Sequence, residues 1–438
     1  MGGRSGAPRG RWGARPSGRS RRAAPAGPLP SKRMNGVLGS CDLAHLRRRR
    51  SYKWTAYPGD VLPAFVAEMD FDVAEPIVEA LSQAVGLSDF GYPNPTPYEG
   101  PGSHEGPGRH DVSWSRRSFG ESFATFAATR WGWPVDPARV LVAPDVMTAI
   151  AEVLTAVTEP GAGVVINPPV YPPFFSRVSL SGRRWVQAPL ARDEGGSYHL
   201  DLDALEAALA EDGVGAYLLC NPHNPVGRVW SRQDLLRVAD LCLAYERWLL
   251  VDEIHSPLVM RGAEHVPVLS LDHEVTGRSF AFVSASKGWN IPGLKCAGVV
   301  PGSDAGSELL RPRWEALLPS HLGVLASVAA FDRSLSWLDA VVSQLDENRL
   351  LLSRLLAEQI PSLGYVAPEA GYLAWLDCRD AGLGSDPAEL FLKSGRVALS
   401  PGPAFGEQGQ GHARLNIGTS PALVGEAVSR MATALRRD

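Results

Sequence analysis

Short apolar runs alternate with amphipathic helical segments through the middle of the chain. The strand-like runs are GVVINPP (163–169), GAYLLCNP (215–222), RWLLVDEIH (247–255) and SFAFVSASK (279–287). Helical spacing occurs at 150–158, 201–210 and 231–246. Strands that are apolar on both faces are typical of parallel sheets covered by helices. The alternation therefore predicts an α/β fold with a mostly parallel, doubly wound sheet.

The sequence around this region predicts the domain organisation. A large domain is expected at 85–320. Its Gly/His/Arg/Ser-rich segment 98–118 is interpreted as a loop insertion, and the alternatives are a tolerated surface feature, a sequence error or a modifier of substrate access. A long helical pattern at 335–360 and the strand and helix patterns after it predict a smaller α+β C-terminal domain at 321–438. Residues 51–84 are expected to be an N-terminal segment that packs on this smaller domain.

Charge is distributed unevenly along the 438 residues. Residues 1–50 contain twelve Arg and one Lys against one acid, and the rest of the chain contains 30 basic and 46 acidic groups. Because a phosphate backbone is bound by clustered positive charge, nucleic-acid binding by the folded body is disfavoured. The basic tail 1–50 is expected to be disordered, and residues 1–33 are interpreted as a solvated tail or as a leader upstream of Met34. A nucleic-acid-binding arm and an Arg-rich transit segment are the alternatives.

Cysteine spacing and hydropathy restrict the class of protein further. The five cysteines form no CxxC or Cys/His cluster, so neither a disulfide framework nor a metal site is predicted. No stretch approaches the roughly 18 apolar residues of a membrane span, and the N-terminus lacks the apolar region of a secretory signal. A cytoplasmic enzyme without a membrane segment is expected.

Polar residues follow four of the predicted strands. The strand ends read NPPVYPPF (167–174), NPHNPVGR (221–228), DEIHSP (252–257) and SASKGWNIPGLK (284–295). Ligands bind at the carboxyl ends of the strands in open parallel sheets. A lysine between serines, a second cation eight residues later and an acid at another strand end suit pyridoxal 5′-phosphate (PLP). This cofactor needs an amine for its aldehyde, a carboxylate for its pyridine nitrogen and polar donors for its phosphate.

These motifs resemble those of fold-type I PLP enzymes in the class I/II aminotransferase superfamily. The matching residues are Asn221-Pro-His-Asn-Pro-Val-Gly227, Asp252-Glu-Ile-His255 and Ser284-Ala-Ser-Lys287 with Lys295. Within the superfamily the chain resembles the MalY/PatB-type cystathionine β-lyases, which are cysteine-S-conjugate C–S lyases. This narrower resemblance rests on LysTrp (53–54), PAFVAEMDF (63–71), GlyTyrPro (91–93), PPVYPPF (168–174), DEIH (252–255), GLK (293–295), YLAWLDC (372–378) and ARLNIG (413–418). It implies a large domain with a seven-stranded, mostly parallel sheet flanked by helices.

The resemblance implies roles for the residues around the cofactor ring. Lys287 is expected to bond the cofactor aldehyde and, once freed, to remove the Cα proton of the substrate. Asp252 is expected to keep the pyridine nitrogen protonated, Asn221 to bond the ring 3′-oxygen and Tyr171 to stack on the ring. His255 stands where aminotransferases usually have Tyr, and it either contacts the cofactor or is a packed strand-end residue. From the residues alone, Asp252 is also compatible with a turn acid and Asn221 with an Asx-turn.

The resemblance also implies how the phosphate is held. Ser284, Ser286 and Lys295 are expected to bind it, together with the backbone N–H groups of Val146 and Met147, because helix N-termini favour anions.

Three further positions complete the implied site. Asp145 stands where the family often has Gly, and its negative side chain suits a phosphate loop only if it points away. Tyr92 matches a tyrosine that reaches the phosphate of the neighbouring subunit, which implies a homodimer with shared active sites. Arg414 matches the arginine that binds the substrate α-carboxylate, for which a bidentate guanidinium is better suited than an ammonium.

The sequence leaves three functions open. The first is a C–S β-lyase that eliminates a thiol from cystathionine or a related cysteine S-conjugate and yields pyruvate and ammonia. The second is an amino-acid aminotransferase, which shares the same residues up to Cα deprotonation. The third is a PLP-fold regulatory protein that uses its basic tail on DNA, although no helix-turn-helix pattern is present. The motifs AEMDF, DEIH and YLAWLDC favour the lyase, with Glu68 where the family often has Asp.

Overall fold

The computed structural model describes residues 36, 38–39, 41–93, 118–314 and 316–436. The segment 1–33 and almost all of the predicted insertion 98–118 lie outside the described residues, so the expectations for them stay predictions. Residues 41–50 are described, and a helix at Leu43–Leu46 with the buried Leu46 shows that the disorder expected for the tail does not extend to them. Asn35–Asp438 form a single compact unit. The domain boundary at 320 likewise stays a prediction.

Fourteen α-helices occur in the described part of the chain. They are α1 (Leu43–Leu46), α2 (Tyr52–Thr55), α3 (Glu75–Gly86), α4 (Phe119–Trp131), α5 (Val146–Val157), α6 (Pro173–Leu180), α7 (Leu202–Leu209), α8 (Arg232–Ala244), α9 (Ala285–Gly288), α10 (Asp304–Trp314), α11 (His321–Arg333), α12 (Leu335–Gln359), α13 (Pro387–Lys393) and α14 (Pro421–Leu435).

Fifteen β-strands occur in the same described ranges. They are β1 (Leu62–Pro63), β2 (Leu141–Ala143), β3 (Gly163–Ile166), β4 (Arg184–Gln187), β5 (Ala191–Arg192), β6 (Tyr198–His199), β7 (Val214–Cys220), β8 (Trp248–Asp252), β9 (Ser279–Val283), β10 (Ala297–Pro301), β11 (Gly364–Tyr365), β12 (Leu373–Asp377), β13 (Val397–Ala398), β14 (Ser400–Pro401) and β15 (His412–Asn416).

Local sequence signals explain where several helices begin and end. Ser231 and Asp234 form a capping box at the start of α8, each side chain bonding the other residue's backbone N–H. The predicted helix at 150–158 begins one turn earlier, because the Asp145 side chain accepts the Thr148 N–H and caps α5. Helix α4 ends at Gly132, whose φ of 62° is left-handed and suits glycine.

The central sheet has seven strands in the order β2-β10-β9-β8-β7-β3-β4. The five strands from β9 to β4 are parallel, and β10 runs antiparallel to both of its neighbours. Alternate residues of the parallel strands face opposite sides, so Val164 and Ile166 lie in one hydrophobic cluster and Val165 lies in another. Apolar cores on both faces explain the uninterrupted apolar runs and confirm the predicted fold class.

A second, four-stranded antiparallel sheet follows in the C-terminal part, in the order β11-β12-β15-β14. Strand β1 pairs in parallel with β13, with Leu62 opposite Val397. This pairing brings residues from near the start of the described chain beside the four-stranded sheet. Among the described residues, no helix is long and apolar enough to span a membrane.

Candidate active site

Three neighbouring parallel strands end at the same edge of the central sheet. Asn221 follows β7, Asp252 is the last residue of β8, and Ser284 follows β9. The Asn221 N–H donates to the Asp252 carbonyl over 3.0 Å. The structure therefore brings together the strand ends in which the sequence predicted a cofactor site, while the individual roles stay predictions.

Asp252 is a buried carboxyl group, with 3% of the residue exposed. Burial raises its pKa to about 7, against the opposing effects of the Ile254 N–H, which donates to Oδ1 over 3.1 Å, and of the positive charge of Lys287. A carboxyl group in this position binds a proton or a cation in preference to remaining alone as an anion. A protonated pyridine nitrogen fits this requirement.

Lys287 lies in the short helix α9, directly after the edge of the sheet. Its Nζ donates to the Ala67 carbonyl over 3.0 Å. Burial, aided by the positive charge of Arg414, lowers the pKa of Lys287 to about 8. The amine is therefore much easier to deprotonate than a surface lysine, as both a nucleophile and a general base require.

Arg414 lies on β15 and is enclosed by protein groups. Its terminal nitrogens donate to Asn224 Oδ1 at 3.0 Å, to the Phe65 carbonyl at 3.0 Å and to Ser400 Oγ at 3.1 Å, and its guanidinium lies 4.8 Å from the Phe405 ring centroid. Burial lowers its pKa to about 10, so it remains a cation at neutral pH. Its buried Nε has no hydrogen-bond partner among the described residues, which leaves a donor for a ligand.

Replacing Arg414 with lysine tests this arrangement. Lysine keeps the charge but not the planar set of donors that matches a carboxylate. Hydrogen bonds to charged groups contribute about 1.5–3 kcal/mol, so kcat/KM for an amino-acid substrate is expected to fall roughly 10- to 100-fold, mainly through KM. Steady-state kinetics measure the change, and Arg354→Lys on the exposed face of α12 is the matched control. An unchanged KM would contradict carboxylate binding by Arg414.

The start of α5 is the predicted phosphate site. The N–H groups of Val146 and Met147 lie in its first turn, where a helix offers no backbone acceptors. The Asp145 carboxylate is held within this loop by two bonds. Its Oδ1 accepts the Thr148 N–H at 2.8 Å and its Oδ2 accepts from Lys295 Nζ at 3.0 Å. Burial acts to raise the pKa of Asp145, but the bonds from Thr148 and Lys295 outweigh it and hold the pKa below its usual value.

Ser284 has a structural role at this edge of the sheet. Its Oγ donates to the Cys296 carbonyl over 2.7 Å and accepts the Ser286 N–H over 3.0 Å. These bonds fix the start of α9 and hence the backbone next to Lys287. Ser286 lies beside it and is half-buried. Phosphate binding by either serine stays a prediction.

His255 lies in the turn after β8 and is buried. Burial lowers its pKa to about 3, and the positive charges of Lys287 and Arg414 act in the same direction, so the ring is neutral. Its Nδ1 has no hydrogen-bond partner in the described ranges. The ring centroid lies 6.4 Å from that of Tyr372. The unpartnered Nδ1 could bond a ligand, and contact between His255 and the cofactor stays a prediction.

The two predicted tyrosines differ in their surroundings. Tyr171 is half-buried, its ring centroid lies 6.0 Å from that of Phe174, and burial raises its pKa. Tyr92 is 88% exposed, and the structure does not bring it to the other site residues. Its role across a subunit interface stays a prediction.

The backbone of segment 64–71 is a part of the site that side-chain reasoning missed. The Ala67 carbonyl accepts from Lys287 Nζ and also from the Tyr372 hydroxyl at 2.9 Å. Asn416 Nδ2 donates to the carbonyls of Val66 and Glu68, both at 2.7 Å. The motif PAFVAEMDF marked this segment, but its letters do not indicate that carbonyl groups make the contacts.

A buried ion pair fixes the same segment from the other side. Lys53 Nζ lies 2.8 Å from Asp70 Oδ1, and the two side chains are 1% and 4% exposed. Lys53 also donates to the Glu68 carbonyl at 3.0 Å, and Trp54 Nε1 donates to Asp70 at 3.2 Å. Residues 53–54, which were singled out only by resemblance, therefore hold the backbone that bonds Lys287.

An amine with a lowered pKa, a buried carboxyl group with a raised pKa and the first-turn N–H groups of α5 occur at one edge of a mostly parallel sheet. This fold and this set of groups define a PLP-dependent enzyme of fold type I. The chain belongs to the aminotransferase class I and II family, whose model matches residues 112–431.

Comparison with known proteins and solved structures shows which members of this family the chain is similar to. The chain is 41% identical to a putative cystathionine beta-lyase of Mycobacterium leprae, over 91% of this chain and 98% of the relative. It is 34% identical to cystathionine beta-lyase PatB of Bacillus subtilis, over 86% and 93% of the two chains. The crystal structure of cystalysin from Treponema denticola, which contains PLP, matches with a TM-score of 0.80 and 25% identity over 89% of this chain and 97% of that chain.

The enzyme is PLP-dependent, and its residues fit the cofactor. Lys287 would bond the aldehyde, Asp252 would face the pyridine nitrogen and the N–H groups of Val146 and Met147 would face the phosphate. When bound, PLP supplies an electron sink that stabilises negative charge at the substrate Cα. The remaining chemistry depends on residues of the chain.

Proposed function

We propose that the protein is a C–S β-lyase that acts on cystathionine or related cysteine S-conjugates by α,β-elimination and releases a thiol, pyruvate and ammonia. The observation that carries this proposal is the half-buried Lys287 together with the buried Arg414. One supplies a base with a pKa of about 8 and the other a cation that can hold a carboxylate nearby. The similarity to cystathionine beta-lyases over nearly the whole length of the relatives supports the choice of substrate class.

The residues of the chain divide the work of elimination. Arg414 binds the substrate α-carboxylate, and its bonds to Asn224, Ser400 and the Phe65 carbonyl hold the guanidinium in one orientation. Lys287 removes the Cα proton as general base. The thiolate then leaves Cβ, which completes the elimination. The aminoacrylate that remains is hydrolysed to pyruvate and ammonia.

A single assay separates elimination from transamination. The PLP-loaded protein with L-cystathionine and no 2-oxo acid is expected to release pyruvate and free thiol in equal amounts, because elimination needs no amino-group acceptor. Pyruvate is measured by coupled reduction with NADH and thiol by a colorimetric reagent, with Lys287→Ala as the inactive control. Turnover that requires a 2-oxo acid and releases no thiol would assign the protein as an aminotransferase.

We further propose that the enzyme is a homodimer with shared active sites and that it acts in the cytoplasm. The exposed Tyr92 side chain supports the first proposal, since it leaves the ring accessible to a second subunit. The five free thiols support the second, because reducing compartments maintain them. A monomer at micromolar concentration in sedimentation analysis would contradict the shared site, and recovery from a non-cytoplasmic cell fraction would contradict the location.

A further inference from the structure

A cavity of about 370 Å³ lies between the β5–β6 hairpin and the four-stranded C-terminal sheet. Its walls include Arg192 and Tyr198 from the hairpin and Tyr365, Trp375 and Asp377 from the sheet. Small-molecule sites typically enclose roughly 300–1,000 Å³. The cavity is therefore large enough for a small metabolite.

The cavity is separate from the site that contains Lys287. Trp375 forms part of its wall, and the Trp375 ring packs edge-on against Phe405 with centroids 5.2 Å apart. The Arg414 guanidinium lies over the same Phe405 ring, and Arg414 is the cross-strand partner of Trp375. Among the described residues, none of the groups that bond Arg414 or Lys287 lines the cavity, since these groups belong to Asn224, Ser400, Phe65 and Ala67.

The cavity is positively charged, although residues 51–438 carry 30 basic and 46 acidic groups. Its lining contains four arginines against the acids Glu369 and Asp377, and these arginines are Arg192, Arg228, Arg261 and Arg349. Arg192 lies 2.7 Å from Asp377, and Arg228 pairs with Glu369. Arg349 pairs over 2.6 Å with Asp346, which lies outside the lining. Arg261 is therefore the lining arginine that has no carboxylate partner among the described residues, and it leaves positive charge for an anionic ligand.

Arg349 and Arg228 differ in whether they retain a donor for a ligand. Arg349 donates to the Pro368 carbonyl at 3.0 Å and to the Arg261 carbonyl at 3.3 Å, which fixes the backbone beside the cavity. Arg228 Nε is buried and has no hydrogen-bond partner among the described residues. Guanidinium groups bind carboxylates and phosphates through paired donors.

The aromatic residues of the cavity wall indicate what the uncharged part of a ligand would be. Trp375 stacks on His412 with centroids 5.1 Å apart and an interplanar angle of 8°, and its Nε1 donates to the Tyr198 hydroxyl over 3.3 Å. Tyr365 forms another part of the wall. Rigid rings of this kind contact flat apolar groups favourably.

We propose that this cavity is a second ligand site, which binds a small organic anion whose phosphate or dicarboxylate is attached to a flat apolar group. The arginine side of the cavity binds the charged part, and the rings of Tyr198, Tyr365 and Trp375 contact the apolar part. The site is distinct from the PLP and substrate site, and it stands whether or not the lyase activity does.

Isothermal titration of the PLP-loaded protein tests the proposal, since bound PLP keeps the probes out of its own phosphate site. The probes are phenyl phosphate and phthalate, which distinguish a phosphate ester from a dicarboxylate. Inorganic phosphate and phenol, the two parts of phenyl phosphate, are titrated separately for comparison. At least one of the two dianions is expected to bind at least tenfold more tightly than either part.

Two surface substitutions locate the binding. Arg261→Ala removes an exposed lining cation, and Val366→Asp adds a negative charge at a lining residue that is 39% exposed. Each is expected to weaken dianion binding about tenfold or more, which is the size of one charge-assisted hydrogen bond. Arg354→Ala is the control of equal charge change and is expected to bind normally, and the basal activity of all three variants is expected to be unchanged. Absence of dianion binding up to 10 mM (roughly −3 kcal/mol), or equal affinity in all variants, would overturn the proposal.

Discussion

Replacing Lys287 with alanine is expected to abolish both turnover and the visible absorbance of the lysine-bound cofactor. In the proposed mechanism, the side chain supplies the amine that bonds the cofactor aldehyde and the base that removes the Cα proton. Loss of a general base alone costs roughly 10²–10⁴-fold in rate. Because Lys287 serves both purposes, a decrease in kcat of at least about 10⁴-fold is expected.

Three measurements distinguish this result from unfolding. Thermal unfolding of Lys287→Ala is expected to resemble that of the parent protein, because its Nζ makes one bond, to the Ala67 carbonyl. Lys393→Ala, which removes an exposed lysine paired with Glu389, is the matched control and keeps the visible band. A small primary amine added to Lys287→Ala is expected to restore part of the turnover. Retention of the band and of turnover in Lys287→Ala would refute the assignment.

Several elements of the fold were predictable because their signals are local. The helical pattern at 335–360 corresponds to α12 (Leu335–Gln359), and the apolar run at 247–255 contains β8. In parallel strands, successive carboxyl ends meet at one edge, so the convergence of Asn221, Asp252 and Ser284 followed from strand order. The periodicity of the apolar residues and the polar residues at the strand ends were sufficient to predict this part of the site.

The remaining contacts depend on pairings between distant parts of the chain. The Phe65 and Ala67 carbonyls reach Arg414 and Lys287 across 349 and 220 positions, and a carbonyl group carries no sequence signal because every residue has one. Asn224 was within reach of sequence reasoning, since it is the second Asn of the matched motif. The capping bonds of Ser284 were not, because a hydroxyl group gives no indication of its partner.

Replacing Asp252 with asparagine is expected to separate cofactor attachment from catalysis. Asparagine has nearly the same shape, but it carries no charge to hold a proton on the pyridine nitrogen. At this 3% exposed position water cannot compensate. Removal of one preorganised electrostatic group typically costs about 10²–10³-fold in kcat, and a decrease of this size is expected while Lys287 still bonds the cofactor. The visible band is therefore retained, unlike in Lys287→Ala.

The proposed mechanism makes the charge of Asp252, rather than its shape, responsible for the loss of activity, and a cofactor analogue and a control variant test that point. Burial raises the pKa of Asp252 to about 7 in the absence of a neighbouring cofactor cation, so a permanently positive partner is expected to keep the carboxylate ionised. A PLP analogue methylated at the ring nitrogen carries that charge without a proton, and it is expected to restore turnover in Asp252→Asn by at least tenfold. Asp203→Asn on the exposed face of α7 is the control and is expected to leave kcat unchanged. Equal kcat for the parent protein and Asp252→Asn would show that Lys287 removes the Cα proton without a charged partner at the ring nitrogen.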